Sequence, residues 1–564
     1  MYNSLATIIG KKLEDSYGLS TDVTLTPPSD MSHGDLTTNV AMQVSKKVGK
    51  SPIDIAKELI NELEASEDIE SAEIAGPGFI NINLTIAARL KLLLRAQDVC
   101  SPQKERSKEA PIVVEYSSPN IAKPLGVHHI LSTVIGQVIA NLYRHLGYKV
   151  ITVNHIGDWG TQFGKLAVAD KKWGEKDMKD CGVEDLLALY VRFHDESEKD
   201  AGLEDEARAA FKSLEQGDKE MREFWKKVVD ISMREIKETY KRLNVSIDHD
   251  HGESFYEDKM LSLLDEGRKS GVFKEGEKGA LIAEFPEESN LPPAIVLKAD
   301  GSTIYHTRDL AVIKYRMGEW HPKSSLYVVD ISQKLHFEQL FAMAKQLKWD
   351  LPELEHVIFG HMSLPDAKMS TRKGNIIRLE DALDEAVNRA DKLIAERETI
   401  VPEEDKEELS EMVGIGAFVY TILSQNRKSN IVFTWDKAMT FEGNSGPYVQ
   451  YTHARAKSVL EKAEVDQIDP PSDIESLENH ELMLMRHMAK FPAALEQARK
   501  DAMPHKLTQY LYELCQIYNS MYNALPIIKA DEPQKTLRLA LTKLTADILK
   551  TGADILTIRV PDRM

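Results

Sequence analysis

The spacing of apolar residues predicts a small α+β unit at the start of the chain. Apolar positions recur at helical intervals over residues 5–13 and 53–63, and the second stretch follows Ser51-Pro52, a typical helix start. Residues 76–84 contain turn residues followed by alternating apolar positions, which is typical of a strand. The polar segment 101–110 is expected to link this unit to the next one.

Further along, the pattern changes to that of a parallel sheet. Residues 111–116 form a short apolar run, as expected of a strand buried on both faces. A loop over 117–126, an amphipathic helix over about 130–146 ended by Gly147, and a second strand over 149–154 follow. Strand, helix and strand in this order predict a βαβ unit, and therefore a ligand crevice where the strands end.

The remaining pattern completes a three-part organisation. Residues from about 165 to 250 are charged with helical spacing, which favours a solvated helical insertion. Strand signals return at 294–297, 325–330 and 356–360, with a helix over 336–347, and the chain is almost wholly helical after about residue 402. We predict an α/β protein divided into residues 1–100 (α+β), 101–400 (parallel sheet with the insertion) and 401–564 (all helical).

Composition limits the class of protein. The 564 residues are 42% hydrophobic and 29% charged, the balance of a folded globular chain. The sequence contains neither the roughly 18 consecutive apolar residues of a membrane span nor, at its start, the features of a secretory signal. Cys100, Cys181 and Cys515 lie far apart, so we expect no disulfide framework and no zinc site. A cytoplasmic protein without a membrane partner is the expectation.

The net charge of −19 would, taken alone, argue against a nucleic-acid partner. The charge is unevenly distributed, however. Residues 481–564 carry 12 basic and 9 acidic side chains, so this part is slightly positive while the rest is strongly negative. Binding depends on local fields, and the total therefore does not decide the partner.

The loop after the first predicted strand of the parallel sheet is a candidate phosphate site. It opens a helix, whose first N–H groups and positive dipole end attract phosphate. Gly126 would permit close approach of the backbone, and Lys123, His128 and His129 could reach phosphate oxygens. Each feature alone is weak, since a single histidine is more often structural.

A second candidate loop follows the strand signal at 356–360. Residues 367–375 read Ala-Lys-Met-Ser-Thr-Arg-Lys-Gly-Asn, and cations this dense can clamp a polyphosphate as charge builds on it. An ordinary exposed basic loop is the alternative. Both loops on one α/β domain favour a nucleotide site, with catalytic or ATP-binding roles for the side chains of Lys368, Met369, Ser370, Arg372 and Lys373.

Motifs along essentially the whole chain resemble the class I aminoacyl-tRNA synthetases, and specifically the arginyl-tRNA synthetase family. The matching segments occur in the family's order: Ser32-His33-Gly34-Asp35, Gly76-Pro77-Gly78-Phe79-Ile80, residues 115–123, residues 154–164, Tyr305-His306-Thr307-Arg308-Asp309-Leu310, Gln333 with His336-Phe337, residues 368–374, residues 446–455 and Val560-Pro561-Asp562-Arg563-Met564.

The resemblance implies an arginine–tRNA ligase with a Rossmann-type catalytic domain. ATP and L-arginine would give arginyl-adenylate and pyrophosphate, and the arginyl group would pass to the terminal ribose of tRNA(Arg), without a covalent enzyme intermediate. Mg²⁺ would be carried by ATP. The N-terminal domain would touch the tRNA elbow and the C-terminal domain would bind the anticodon. A monomer that needs tRNA present for adenylate formation is also implied.

The arginine site can be argued from charge. A guanidinium is planar and requires a carboxylate or paired acceptors in fixed geometry. Asp309 and Glu115 are the candidate carboxylates; Asn120 and Gln333 could orient the substrate, and Tyr305 could pack on its side chain. By resemblance Asn120, Tyr305, Asp309 and Gln333 match arginine-binding positions, and we add Ser118 from the matched stretch 115–123. Helix capping or ion pairing remains open for Asp309, and a core role for Tyr305.

One signature departs from the family pattern. Where the family usually has His-x-Gly-His, this chain has Gly126-Val127-His128-His129. An imidazole at position 128 should crowd the surface on which adenine stacks unless the loop shifts. Either His128 replaces the missing histidine, or Lys123 or Lys373 compensates, or the protein is a non-catalytic tRNA-binding paralogue. We favour an active enzyme because the other matching positions are intact.

Two further features complete the expectations. Aromatic side chains on a helical domain can stack unpaired bases, so Tyr448, Tyr451 and the terminal Met564 are candidates for tRNA binding, with helix packing as the alternative. The alternating Asp248-His249-Asp250-His251 could converge on a metal, but no metal is implied by the resemblance and none is expected. A class I synthetase for another amino acid is the nearest enzymatic rival.

Overall fold

The computed structural model describes residues 2–28, 30–104, 106, 109–276, 279–364, 377–396 and 402–564. Within these ranges the helices are α1 Tyr2–Tyr17, α2 Val40–Val48, α3 Pro52–Leu63, α4 Ile86–Asp98, α5 His129–His145, α6 Thr161–Trp173, α7 Val183–Ser197, α8 Gly202–Glu215, α9 Lys219–Arg242, α10 Met260–Lys269, α11 Tyr305–Trp320, α12 Lys334–Gln346, α13 Leu379–Ala395, α14 Lys406–Leu423, α15 Trp435–Ala438, α16 Gly446–Lys462, α17 Asn479–Met488, α18 Phe491–Lys500, α19 Pro504–Ala524 and α20 Gln534–Ile555. The strands are β1 Leu36–Thr38, β2 Ile69–Ala75, β3 Phe79–Leu84, β4 Ile112–Glu115, β5 Val150–Asn154, β6 His249–Asp250, β7 Phe273–Glu275, β8 Leu281–Ala283, β9 Ala294–Leu297, β10 Ser324–Tyr327, β11 Glu353–His356, β12 Met362–Ser363 and β13 Ile431–Val432.

The N-terminal part is the α+β unit that the apolar spacing predicts. An antiparallel sheet in the order β1-β3-β2 is accompanied by α1 to α4. Alternate residues of β3 (Ile80, Ile82 and Leu84) are fully buried, as period-two patterning requires. Ser51 begins α3 by accepting a hydrogen bond on its Oγ from the amide of Asp54 at 3.1 Å. Both predicted helices and the predicted strand are confirmed.

A five-stranded, entirely parallel sheet forms the centre of the molecule. Its order is β11-β10-β4-β5-β6, with β4 buried along its whole length and α5 crossing from β4 to β5. The chain runs outward from β4 in both directions, so the order reverses between β4 and β10. Ligands of such sheets bind at that reversal, beyond the carboxyl ends of the strands. The predicted βαβ unit and Rossmann-type fold are confirmed.

Of the later strand predictions, one is confirmed and one needs correction. Residues 294–297 form the predicted strand, β9, which belongs to a separate antiparallel sheet, β7-β8-β9, that shares a core with α10, α11 and α12. The strand predicted at 356–360 lies earlier, as β11, because its parallel register with β10 ends at the pair Tyr327–His356. Gly360 then leaves the sheet and packs so closely on Ser429 that a Cβ would lie 2.4 Å from its carbonyl oxygen.

Helices make up the insertion and the C-terminal part, as the charge and apolar patterns predict. The insertion consists of α6 to α9, with a small core between α6, α7 and α8. From residue 402 the chain forms α14 to α20, interrupted by β13, which pairs in parallel with β12. No helix in the described ranges has the length and apolar character needed to cross a membrane.

A buried ionic contact joins the N-terminal and C-terminal parts. Arg486 on α17 donates to the carboxylate of Asp35 at 3.1 Å, to the carbonyl of Met31 at 2.7 Å and to the side-chain oxygen of Asn83 at 2.8 Å. Arg89 on α4 donates to the same carboxylate at 3.0 Å. The side chains of Asp35, Arg89 and Arg486 are nearly inaccessible to water, so this contact fixes the N-terminal sheet against α17.

Candidate active site

The loop that follows β4 leaves the sheet with a strained backbone. Ser117 and Ser118 have φ angles of 68° and 50°, in the left-handed region that non-glycine residues seldom adopt. Hydrogen bonds hold this conformation: the Ser117 amide donates to Ser132, the Tyr240 hydroxyl donates to the Ser117 hydroxyl, and the Ser118 amide donates to Asn154. Strain that is held in this way, at the reversal of the sheet, is typical of a functional loop.

The same loop presents Asn120 to the crevice. Asn120 forms a parallel bridge with Gly157, where a Cβ would lie only 2.1 Å from the Asn120 side-chain oxygen. Gly157 is therefore required for this close approach. Farther along the loop, the Ala122 amide donates to Ser232 on α9 at 3.0 Å. The insertion thus helps to place the loop.

A cavity of about 560 Å³ opens beside this loop. Two predicted arginine-binding residues, Asn120 and Tyr305, line it, together with Lys123 from the predicted phosphate site. Tyr305 begins α11 and is 69% exposed, so it does not have the core role that we considered for it. Side chains that the sequence reasoning did not single out also line the cavity: Trp159, Thr161, Gln162, Tyr190, Glu253, Lys298, Thr303 and Arg308.

An ion pair forms part of the cavity wall. Arg308 and Glu253 lie 3.0 Å apart, and each side chain is mostly buried. Burial raises the pKa of Glu253 above its ordinary value, and the positive charge of Arg308 opposes this rise. Arg308 belongs to the segment 305–310, which resembles the family, and this is the signal that could have identified it.

Asp309 lies next to Arg308 on α11 and is held by a histidine. Its Oδ2 is 2.6 Å from Nε2 of His336 on α12, and its Oδ1 is 3.8 Å from Nε2 of His155. Burial opposes ionisation, but the hydrogen bond from His336 and the nearby positive charges outweigh it and lower the pKa of Asp309. The carboxylate is therefore ionised at neutral pH, with one oxygen not hydrogen-bonded to a described side chain.

Glu115, the other candidate carboxylate, has a different environment. It ends β4 and is bonded to Arg316, whose side chain is only 1% exposed. Burial opposes the charge of Arg316, but Glu115 raises the pKa of the guanidinium above its usual value. The expectation of a free charge at Glu115 is thus corrected: the chain's own arginine already neutralises it. Arg316 follows Asp309 by seven residues, two turns along one face of α11, and that spacing was readable in the sequence.

The two remaining arginine-site candidates lie at the same edge of the sheet. Ser118 is half-buried, and its hydroxyl accepts from the His155 amide at 3.3 Å. Gln333 ends a short 3-10 helix after β10 and is exposed immediately before α12, three residues from His336. Asn120 and Tyr305 therefore line the cavity, and His155 lies between Ser118 and Asp309, whereas Ser118, Asp309 and Gln333 are not part of the cavity lining.

The altered signature Gly126 to His129 forms the start of α5. Nδ1 of His129 lies 2.9 Å from the Gly126 amide nitrogen and 3.1 Å from the Gly126 carbonyl oxygen, so this side of the ring is held by the backbone that precedes α5. Burial, followed by the neighbouring His128, lowers the pKa of His129 to about 4. His128 is exposed on one side, and its ring centroid lies 4.1 Å from that of His129. Its partial loss of contact with water, followed by the charge of Lys123, lowers its pKa.

The backbone of this signature is paired with a distant segment. The Val127 amide donates to the carbonyl of Ile377 and the Leu379 amide donates to the carbonyl of Leu125, both at 2.8 Å. The two strips are antiparallel, with Gly126 opposite Arg378. The second predicted phosphate loop immediately precedes Ile377. Its candidate residues, Lys368, Met369, Ser370, Arg372 and Lys373, lie outside the described residues.

The candidate RNA-binding side chains divide between two environments. Tyr451, Arg455, Tyr522 and Met564 line a cleft of about 500 Å³, and the Arg455 guanidinium lies 4.8 Å from the Tyr451 ring centroid and 4.9 Å from that of Tyr522. Tyr448 is half-buried, and its hydroxyl accepts from Asn519 at 3.1 Å. The cleft therefore contains two of the three candidates.

The segment Asp248 to His251 contains the edge strand β6, and its two histidine rings are stacked on neighbouring aromatic rings. His249 and His251 both stack on Trp320, and His251 also stacks on Phe255 with centroids 4.0 Å apart. Asp248 binds Arg144 at 2.8 Å. Across the ranges the structure describes, no group of three or more His, Cys, Asp or Glu side chains is arranged to hold a metal ion.

Comparison with known proteins identifies the family. The model of the class I tRNA synthetase (R) catalytic domain matches residues 90–435, that of the arginyl tRNA synthetase N-terminal domain matches residues 3–84, and that of the DALR anticodon-binding domain matches residues 449–564. The chain belongs to the arginyl-tRNA synthetase family. Members of this family are class I aminoacyl-tRNA synthetases.

Individual relatives agree over the whole length. The arginine–tRNA ligase of Fusobacterium nucleatum is 39% identical over 96% of this chain and 95% of that protein. The arginine–tRNA ligase of Clostridioides difficile is 38% identical over 100% of this chain and 99% of that protein. Among solved structures, the Thermus thermophilus arginyl-tRNA synthetase superposes with a TM-score of 0.80 at 25% identity, covering all of both chains. The Plasmodium falciparum enzyme, at 24% identity and a TM-score of 0.83, shares the fold over 100% of this chain and 99% of its own.

Proposed function

We propose that the protein is an arginine–tRNA ligase that activates L-arginine with ATP and transfers it to tRNA(Arg). Membership of the family supports this reading, and the observation that carries the choice of substrate is the ionised Asp309 beside the cavity lined by Asn120 and Tyr305. A cationic, planar guanidinium is the side chain that such a carboxylate selects. Nothing in the fold or the relatives favours the tRNA-binding paralogue without activity.

Activation joins arginine to the α-phosphate of ATP. An oxygen of the arginine carboxylate attacks the α-phosphorus while the bond to the bridging oxygen of the β-phosphate breaks, and pyrophosphate leaves with that electron pair. A ribose hydroxyl at the end of the tRNA then attacks the adenylate carbonyl, and AMP leaves. The chain contributes position and charge stabilisation, without a covalent intermediate. ATP is used as its magnesium complex.

The site residues take the following roles in this proposal. Asp309 binds the guanidinium and Tyr305 packs on the arginine side chain, while Ser118, Asn120 and Gln333 orient the substrate. Gly126, His128 and His129 meet the nucleotide, with Lys123 and the candidate side chains of the 368–373 loop stabilising the phosphates. The ring of His129 is held through Nδ1 by the Gly126 backbone, which leaves Nε2 to contact a phosphate or ribose oxygen. Glu115 does not contact the substrate in this proposal; it holds Arg316 in place and so helps to maintain the shape of the site.

RNA binding is assigned to the flanking domains. We divide the chain into residues 1–100 for the tRNA elbow, 101–400 for catalysis with the insertion, and 401–564 for the anticodon. Tyr451 and Met564 in the C-terminal cleft, with Tyr448 beside it, are the proposed tRNA contacts. The two lysines that line the same cleft, Lys462 and Lys529, suit a phosphate backbone. A cytoplasmic monomer completes the proposal, and light scattering of the purified protein would measure the oligomeric state.

The deciding experiment is aminoacylation of a tRNA(Arg) transcript with a panel of radiolabelled amino acids and ATP. Charging with arginine alone is the expected result. Charging with a different amino acid would indicate the rival synthetase, and tRNA binding without any charging by a folded sample would indicate the paralogue. Pyrophosphate exchange with and without tRNA is expected to require tRNA, and full exchange in its absence would contradict that part of the proposal.

A further inference from the structure

The carboxylate of Asp309 is fixed by its neighbours rather than by its own helix. Nε2 of His336 lies 2.6 Å from Oδ2, a distance typical of a charge-assisted hydrogen bond. Nε2 of His155 lies 3.8 Å from Oδ1, beyond hydrogen-bonding distance. Only Oδ2 therefore has a hydrogen-bond donor among these two rings.

His155 cannot take the place of His336. Its Nδ1 is 3.0 Å from the carbonyl oxygen of His251, and because a carbonyl only accepts, Nδ1–H is the donor of that bond. The other ring nitrogen, Nε2, remains 3.8 Å from Oδ1, too far for a hydrogen bond. Oδ1 therefore receives no hydrogen bond from His155 and is left for a guanidinium N–H.

The ring of His336 is itself held in place. It lies in the first turn of α12, and its centroid is 4.5 Å from that of His306. His306 is bonded at 3.2 Å to Gln339, which donates at 2.8 Å to the carbonyl of Pro292. These contacts connect Pro292, between β8 and β9, to the ring of His336. They hold the ring in one position, so its hydrogen bond goes to one oxygen of Asp309, Oδ2.

The groups that face Asp309 come from every element around it. They are His336 on α12, His155 after β5, Arg308 and His306 on its own helix, Glu253 ahead of α10, and Tyr327 at the end of β10. Burial favours the protonated acid, and the hydrogen bond from His336 is the foremost of the contributions that lower the pKa of Asp309 against it.

We propose that His336 is a positioning residue for arginine selection: its Nε2–H fixes Oδ2 of Asp309 and thereby presents Oδ1 to the substrate guanidinium. This inference rests on the proposed role of Asp309 as the guanidinium ligand. It assigns the selection of arginine to a pair of residues on two helices, one in contact with the substrate and one behind it.

The test compares His336→Leu, which removes the donor, with His336→Gln, which keeps an N–H donor at similar reach. Binding of L-arginine is measured by calorimetry, and the KM for arginine and for ATP by aminoacylation. His336→Leu should weaken arginine binding by about 10- to 100-fold, as expected for a lost hydrogen bond to a charged group. His336→Gln should restore most of the affinity, and the KM for ATP should change little in either variant.

The pH dependence provides a readout that a merely structural role would not give. The guanidinium of the substrate stays protonated throughout, so the wild-type KM for arginine should not change between pH 8 and pH 5.5. In His336→Leu burial is no longer opposed by the hydrogen bond, and the KM should rise as the pH is lowered through this range. Lys345→Ala, an exposed change on the same helix, is the control and should behave as wild type.

A double-mutant cycle tests the role of Asp309 as the guanidinium ligand separately from the role of His336 in positioning it. In an Asp309→Asn background, His336→Leu should have little further effect on arginine binding, because the histidine acts through the carboxylate. Additive losses would overturn the positioning role, as would unchanged arginine binding in a folded His336→Leu variant. If Asp309→Asn itself leaves arginine binding unchanged, the proposed arginine site is wrong, independently of His336.

Discussion

The interior of the parallel sheet and the first turns of α11 each contribute one of the two candidate carboxylates, and only the first of these carboxylates is neutralised by an arginine of the chain itself. Glu115, at the end of β4, is buried against Arg316, a side chain that is itself almost inaccessible. Asp309, seven residues before Arg316 on α11, is 24% exposed and has one oxygen open. A buried charge is stable only with its partner present. A cation from solution can therefore be selected at Asp309 and not at Glu115.

The largest effect is expected at the buried pair of Glu115 and Arg316. Glu115→Gln removes the counter-ion of Arg316 and leaves a buried guanidinium unpaired, so the free energy of unfolding should fall by about 3–5 kcal/mol. Urea denaturation followed by circular dichroism measures this loss. The double variant Glu115→Leu with Arg316→Met removes both charges and should recover much of it. A large rise in the KM for arginine at unchanged stability would instead place Glu115 in the substrate site.

Removing the charge of Asp309 should weaken arginine binding much more than it lowers the stability of the fold. Asp309→Asn removes the charge that faces the guanidinium, and arginine affinity should fall by an amount worth about 2–3 kcal/mol, while the free energy of unfolding changes by less than about 1 kcal/mol. Calorimetry with L-arginine and urea denaturation give the two numbers. Asp265→Asn, an exposed change on α10, should alter neither. Equal losses of stability in Asp309→Asn and Glu115→Gln would remove the contrast.

A second contrast is between the two tyrosines of α16, and it lies in the access to their rings. Both hydroxyls are hydrogen-bonded, that of Tyr451 by Arg455 at 3.2 Å and that of Tyr448 by Asn519 at 3.1 Å, but only Tyr451 lines the open cleft. Tyr451→Ala should weaken tRNA affinity by about 1–2 kcal/mol, the usual value of one stacked base, and Tyr451→Phe by much less. Filter binding over a series of salt concentrations measures both. An affinity that does not fall with salt would contradict an RNA surface here.

The histidines of the altered signature give the smallest expected effect. The folded pKa of His129 is about 4, below the ordinary value near 6.5, so its neutral form stabilises the fold and protonation opposes it. Its contribution is complete above pH 6.5 and is lost progressively as the pH falls towards 4. Between pH 7.5 and 6 the loss should stay under about 1 kcal/mol. NMR titration should show the exposed His128 responding before His129, and the opposite order would contradict this arrangement.

Much of the fold was predictable because its signals are local. The buried run of β4, the apolar period of α5 and the cap at Ser51 each depend on neighbouring residues, and all were confirmed. The end of β11 was misplaced because it depends on the length of β10, its partner in the sheet. Likewise, an apolar run does not tell which sheet it joins, and β9 lies in the antiparallel one.

The site was less predictable because it depends on charges brought together from distant parts of the chain. In the sequence, Asp309 and Glu115 are two acidic residues in matched segments, and nothing there distinguishes their roles. They differ in the folded protein because Arg316 packs against Glu115. Arg308 and Glu253 lie 55 positions apart in the numbering, and their ion pair forms only when α11 meets the segment that precedes α10. His336 stood in a matched motif, yet nothing in the motif says that its ring binds Asp309.

The buried contact of Arg486 with Asp35 bears on how the molecule can be divided. The N-terminal sheet is not an appendage on a linker, because its carboxylate neutralises an arginine that belongs to the opposite end of the chain. Deleting residues 1–84 would leave that arginine without its partner and uncover the surface of α17. Truncation before residue 85 would therefore also change the surface of α17, where the guanidinium of Arg486 would exchange Asp35, some 450 residues away along the chain, for water.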